Sequence, residues 1–347
     1  MDTVQKLTLG ILLAVVSTAR ADSFDIKVYS APRLAGITID GTLNEPSWEQ
    51  AALAGGFTLY GKETPAEPQT FIRLGYDEAF LYVGVQCDEP RMDLFAPMST
   101  ARDTLTVFAG EAIEIFVDPE HSHSVYYQFG VNAAASVYDS RGEDSAWNAN
   151  IRAATQTDSN GWSLECAIPW ADLGTSPQAG QLLGFNVCRD RQIGGQQWTN
   201  WARTITGFHD PVRFAHLILA GNPQALAGHS AEFRKGDREG AVIIYTVDGF
   251  AESSYRAMAT ASLEALNLRL AAVEQKARNE GDAVRRGMKG LLATYREQIK
   301  PIADALASGE SMDAKAWSQW DMRITRIVNG LEDALWTARL QALLSEL

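Results

Sequence analysis

Hydrophobic and polar positions alternate with a period of two along much of the first two thirds of this chain, then switch to spacings of three and four. The clearest alternating run is 111–119. Ile113, Ile115 and Val117 fall on one side of it, and Ala112, Glu114, Phe116 and Asp118 on the other, as in a half-buried strand. The apolar set can face a core, which leaves Glu114 on the opposite face with Phe116 beside it. A carboxylate held on a rigid strand face suits hydrogen bonding to a polar ligand. Other strand-like runs lie at 71–76, 81–87, 125–132, 162–168, 183–189 and 213–219, split by Gly, Pro, Asn and Asp. Asp77-Glu78 and Asp158-Ser159-Asn160-Gly161 read as hairpin turns. Short strands at regular spacing predict a mostly β fold, an antiparallel sandwich or barrel.

Beyond Gly221-Asn222-Pro223 the pattern loosens, with one more apolar run at 241–247. From residue 252 it becomes helical. Ala259, Leu263, Leu266, Leu270, Val273 and Ala277 form one stripe. Val284, Met288, Leu291, Tyr295 and Ile299 form a second, and Trp317, Trp320, Ile324, Ile327, Leu331, Ala334 and Ala338 a third. These predict an α-helical hairpin or three-helix domain broken at 279–281 and 308–311. Pro301 is expected to kink or interrupt the second helix. If the stripes do not close on one another, they offer a surface for a protein partner or for self-association.

The N-terminus differs again. An apolar run at 7–19 follows Lys6 and ends in Ala19-Arg20-Ala21. That is the pattern of an export signal with a mature start at Asp22, and the run is short for a membrane span. The expected organisation is therefore a signal peptide at 1–21, a β-sandwich at 22–225, a linker with a possible extra strand at 226–250 and a helical domain at 251–347. The expected location is periplasmic or extracellular.

Charge sharpens the division. The formal net charge of −13 comes from residues 22–250, which carry 15 basic and 29 acidic side chains, whereas residues 251–347 carry 13 of each. Such an acidic half excludes a nucleic-acid surface and fits a neutral polar ligand or a cation. Three cysteines, Cys87, Cys166 and Cys188, lie in strand-like runs and read as small buried hydrophobes. No GxSxG elbow, Walker loop or HExxH helix is present, and no carboxylate pair stands out for glycoside hydrolysis. Glu120, His121 and His123 form a small polar cluster that reads as an exposed loop.

Taken in order, several segments resemble a known family. They are Ile39-Asp40-Gly41-Thr42-Leu43-Asn44-Glu45-Pro46-Ser47-Trp48, the hairpin at 72–88, the strand at 111–119 and Tyr126-Tyr127-Gln128-Phe129-Gly130-Val131-Asn132. After them come Gly161-Trp162-Ser163-Leu164-Glu165-Cys166-Ala167-Ile168-Pro169-Trp170, the run at 184–189 and Phe208-His209-Asp210-Pro211-Val212-Arg213-Phe214. The set, over residues 36–220, resembles the family 9 carbohydrate-binding modules and their family 9-like relatives. The resemblance implies a β-sandwich that binds saccharides without catalysis in an extracytoplasmic setting, often in polysaccharide catabolism, with structural calcium in some members. It places the family's sugar-reading glutamate, glutamine and asparagine on Glu114, Gln128 and Asn132. The two stacking tryptophans fall on Phe108 and Phe208, and an arginine falls on Gly130. Trp198 and Trp201 stand close enough in sequence to Phe208 to serve as replacement platforms. Trp48, Trp162 and Trp170 are expected as core anchors. Asp77, Asp118, Asp139 and Asp144 are the loop carboxylates suited to calcium. A haem-binding sandwich, the remaining alternative, would draw axial ligands from Met92, Met98, His209 or His216.

Overall fold

Inward apolar and outward polar side chains build two sheets that face each other. The structure, a computed structural model, describes residues 25–221, 242–309, 312 and 314–345. The expected export signal, and the first part of the expected linker, lie outside the described residues.

The strands are β1 (Ile26–Ala31), β2 (Thr58–Leu59), β3 (Thr70–Tyr76), β4 (Phe80–Asp88), β5 (Ala112–Asp118), β6 (Tyr127–Asn132) and β7 (Val137–Arg141). They continue as β8 (Arg152–Thr157), β9 (Gly161–Pro169), β10 (Leu182–Arg191), β11 (Gln197–Asn200), β12 (Ala215–Leu219), β13 (Val242–Thr246) and β14 (Gly249–Ser253). The larger sheet runs β14-β13-β1-β12-β10-β5-β6-β7. The smaller runs β3-β4-β9-β8. In the larger sheet the ten-residue β10 pairs β12 along its first half and β11 along its second, and β2 pairs β11. The sandwich is antiparallel except at β1, which runs parallel to both β12 and β13. Each of those pairings is bridged by a long stretch of chain, as parallel strands require.

The main core lies between the sheets. Ile113, Ile115 and Val117 of β5 meet Ile72, Leu74, Val83 and Val85 of the smaller sheet, with Phe129, Phe185, Val187 and Trp162 alongside. Trp170 joins this core, as expected. Trp48 anchors a satellite cluster with Leu34, Tyr82 and Ala167. Its indole N–H donates to Glu165 Oε1 at 2.9 Å, and Glu165 Oε2 accepts the backbone N–H groups of Asp40 and Gly41 at 3.0 Å each. The three cysteines are buried and unbridged. Burial pushes the Cys87 and Cys166 thiols up to about 12, which keeps them inert.

The sheet does not end at residue 225. The β13–β14 hairpin adds two strands beside β1, so the part of the expected linker that is described belongs to the sandwich as far as Ser253. The helices are α1 (Tyr255–Arg278), α2 (Asp282–Ala307) and α3 (Ala314–Ser345). Ser254 caps α1, its hydroxyl accepting the Ala257 N–H. All three helices share one apolar seam of Leu263, Leu266, Leu270, Leu292, Ile299, Ile302, Ile324, Ile327 and Leu331, a bundle rather than a hairpin plus an arm. Leu292, not Leu291, is the buried leucine of α2. The helix also runs through Pro301 without interruption. Proline there is exposed while Ile302 is buried, so packing on the neighbouring helices holds the backbone. None of the described helices is long and apolar enough to cross a membrane.

The bundle is seated on the sandwich. Tyr255 and Met258 of α1 and Trp317 of α3 pack against Ile26, Val28, Leu182, Ile218, Val242 and Ile244. This covers the outward side chains of β1, β12 and β13 and leaves the outer face around β5 and the second half of β10 to form a site.

Candidate functional site

Because Ile113, Ile115 and Val117 point into the core, Glu114 stands on the outer face of the larger sheet. The same alternation on β10 turns Arg189 and Arg191 inward and brings Cys188 and Asp190 to that face. Cys188 lies opposite Glu114 across the β5–β10 pair, and Asp190 opposite Ala112. Trp198 of β11 is the cross-strand neighbour of Asp190. Tyr60, at the end of β2, and Phe208, in the loop before β12, complete a hollow of about 240 Å³ lined by Tyr60, Glu114, Asp190, Trp198, Gly207 and Phe208. That is below the ~300–1,000 Å³ of sites for drug-sized ligands and suits a single ring.

The walls are aromatic. Trp198 is 45% exposed and presents its indole to solvent. Phe208 is half-buried and meets Tyr60 edge-on, with ring centroids 5.7 Å apart. The Tyr60 hydroxyl donates to the Ile205 carbonyl at 2.7 Å, which fixes that ring.

The floor is acidic. Glu114 is 7% and Asp190 4% exposed. Burial first, and then the neighbouring Asp190 charge, pushes the Glu114 carboxyl well above the usual carboxylate range. Burial likewise pushes Asp190 up to about 6, partly offset by its hydrogen bond with Glu114. Both carboxyls are therefore harder to ionise than ordinary ones. Gln128 holds Glu114 from the β6 side by donating its amide N–H to Glu114 Oε2, while its own Oε1 accepts from Ser140 at 3.2 Å. The Trp198 indole N–H also offsets the rise at Asp190, whose Oδ2 is buried with no hydrogen-bond partner.

Of the residues singled out from the sequence, Glu114, Trp198 and Phe208 line this hollow, and Gln128 supports Glu114 from behind. Phe108 borders it instead. Its ring lies over Gly130, the cross-strand neighbour of Glu114, and packs edge-on against Tyr138 at 5.1 Å. Gly130 is thereby explained, since a side chain there would collide with the Phe108 ring. Gly130→Arg is expected to cost about 1–3 kcal/mol through overpacking, and Phe108→Ala in the same chain to recover most of it, both read from urea midpoints.

The structure does not bring Asn132 or Trp201 to this hollow. Asn132 folds back on its own turn, its Oδ1 accepting the Ala134 and Ser136 N–H groups and its Nδ2 donating to the Met98 carbonyl. Trp201 is fully buried among Tyr29, Phe185 and Tyr245, because it points to the core side of the sheet. Two lining residues, Asp190 and Tyr60, escape the sequence reading. Asp190 was discoverable by extending the β10 alternation past Arg189; Tyr60 sits at the end of a two-residue strand and left no signal.

Other candidate groups are engaged elsewhere. Asp77 Oδ1 accepts the Ala79 and Phe80 N–H groups, and Asp118 Oδ2 accepts the His123 N–H. Asp139 pairs with Arg102, and Asp144 Oδ1 accepts the Ala146 N–H. Among the described residues no group of three or more His, Cys, Asp or Glu is arranged to hold a metal ion. His121 is buried rather than exposed, with Nε2 2.8 Å from His216 Nδ1, and His209 bonds the Tyr126 hydroxyl at 2.9 Å. Met98 is exposed. A larger hollow of about 560 Å³ surrounds Lys27. There the lysine ammonium clamps the Gly56 and Trp201 carbonyls, and burial pulls it down to about 7.

By sequence, no curated protein matches the chain. Solved structures similar to it include a family 9 carbohydrate-binding module from Caldicellulosiruptor kristjanssonii in complex with glucose. It has 17% identity and a TM-score of 0.44, over 56% of this chain and 96% of that one. The cellotriose complex of a family 9 module from that organism gives 17% identity and a TM-score of 0.43, over 56% and 94%. A family model described as carbohydrate family 9 binding domain-like matches residues 39–222. That span takes in more than half of the chain, with all of the smaller sheet and the larger sheet from β2 to β12, and the protein belongs to the carbohydrate family 9 binding domain-like family.

Proposed function

We propose that this is an exported, non-catalytic saccharide-binding protein, serving polysaccharide recognition or catabolism outside the cytoplasm, with the hollow at Glu114 as its binding site. The observation that carries the reading is the pairing of open aromatic walls with a buried polar floor. Sugar rings have apolar C–H faces that stack on aromatic planes, and their hydroxyls must be paired when desolvated. Trp198 and Phe208 offer the planes, and Glu114 and Asp190 offer the edge contacts. Family membership supports a binding role without chemistry. The apolar run before Ala19-Arg20-Ala21 supports export.

Calorimetric titration of the protein with mono- and oligosaccharides tests the reading. Trp198→Ala is expected to weaken binding about tenfold, the loss of one exposed stacking platform. Absence of binding to any saccharide would sink the proposal.

One observation favours a second role for the tail. Trp336, Leu340, Leu343 and Leu344 of α3 are exposed and share one helix face. This face would bind a protein partner or a second copy of the chain. Light scattering after size exclusion, with and without Trp336→Glu and Leu340→Glu, reads self-association directly.

A further inference from the structure

The charge of the hollow narrows the ligand. Its lining holds two carboxyls and three aromatic rings, and no basic side chain. The β6 side adds none, because Gly130 has no side chain and the Phe108 ring fills the space above it. We propose that the site takes a saccharide bearing a free ammonium group, seated between the Glu114–Asp190 pair and the faces of Trp198, Phe208 and Tyr60. This rests on the saccharide-binding reading above and specifies its ligand class.

Hydrogen-bond inventory supports it. A sugar hydroxyl both donates and accepts, so a site for neutral sugars profits from donors as well as acceptors. This floor is built of carboxyl oxygens. An ammonium is the complementary group, with three donors and no acceptor. Asp190 Oδ2 is buried with no hydrogen-bond partner, which leaves it able to accept from an ammonium. Burial holds both carboxyls above their ordinary range, and an incoming cation favours their charged forms. Aromatic faces attract the same cation, most strongly when the site is desolvated. A bare divalent metal fits less well, since it wants more oxygen ligands than two carboxyls supply.

The test is calorimetric titration of the intact protein at pH 7 and fixed ionic strength with glucosamine, N-acetylglucosamine, glucose and methylammonium. Glucosamine is expected to bind at least tenfold more tightly than N-acetylglucosamine or glucose. The discrimination should fall to within about twofold in Glu114→Gln and in Asp190→Asn, each checked by near-ultraviolet circular dichroism. Equal or tighter binding of the neutral sugars by the wild type overturns the ammonium proposal and leaves the saccharide reading standing. Binding of methylammonium with no sugar overturns the saccharide reading and keeps the cation site. Binding of none of the four overturns both.

Discussion

Glu89→Ala is expected to lower the unfolding free energy by about 3–5 kcal/mol, the usual result of leaving a buried charge without its counterion. Glu89 is fully buried. Its carboxylate receives the Arg191 guanidinium in a fork, Nε at 2.7 Å and Nη2 at 2.9 Å, and Arg189 Nη2 stands 3.4 Å away. The Arg91 backbone N–H adds a bond at 2.9 Å. Burial is the largest single influence and would raise this carboxyl, but the Arg191 fork, the Arg91 N–H and the Arg189 charge together outweigh it and hold it below the usual range. Arg189 also reaches the Asp88 carbonyl at 3.0 Å and Glu111 at 3.5 Å, and Glu111 in turn accepts the Gln192 and Ile193 N–H groups. The network ties the end of β10 to β4 and β5. It lies on the core side of β10, and Asp190, between the two arginines in sequence, is thereby aimed outward into the hollow. The variant should therefore lose saccharide affinity as well as stability. Urea unfolding gives the first, calorimetry the second. A stability loss under 1 kcal/mol would show that the network is not holding the sandwich end.

The same two arginines explain where the sequence was readable and where it was not. β5 is legible because its inward set, Ile113, Ile115 and Val117, is purely apolar and its outward set is mixed. β10 looks as if it stops at Arg189, because a basic residue breaks the apolar alternation. Yet Arg189 is an inward residue whose charge is met by Glu89 and Glu111. Ion pairing across the sheets leaves no apolar trace, so Asp190 shows its face only when the alternation is carried past Arg189. β8 was missed for another reason. As an edge strand of the smaller sheet, its Arg-Ala-Ala-Thr-Gln-Thr carries little apolar character and is held by its ladder with β9. Trp201 was misplaced because an aromatic near a loop reads alike whether it points in or out. Only the pairing of β11 with β10, and the buried carbonyl contact to Lys27, turn it toward the core. The helical stripes were legible throughout, off by one position at Leu292, where seam geometry rather than apolarity chooses between adjacent leucines.

Raising the pH from about 4 to 8 is expected to destabilise the protein through the Glu114–Asp190 pair, against the usual direction for carboxylates. The ordinary values are 4.5 for glutamate and 3.8 for aspartate; in the folded protein Asp190 is pushed up to about 6 and Glu114 well above its usual range. Below both sets of values the folded and unfolded states carry the same protons, and the pair has no effect. Above the ordinary values the unfolded chain releases protons that the folded chain retains, so stability falls as pH rises until the folded carboxyls also ionise. A two-unit shift at about 1.4 kcal/mol per unit makes the Asp190 contribution of order 2–3 kcal/mol. Glu114→Gln removes one of the two ionisable groups. The variant should match the wild type near pH 4 and exceed it by a few kcal/mol near pH 8, as read from urea midpoints across that range. Parallel wild-type and variant curves would mean that the carboxyls do not face each other as described. The physical sense of such a pair is that folding cost is stored where a ligand can release it. Two buried carboxyls that are costly to ionise weaken the empty protein as the pH rises, and a cationic group entering the hollow offsets that cost. The same substitution that stabilises the chain should therefore abolish its preference for an ammonium-bearing sugar, and loss of that preference without a gain in stability would separate the two roles.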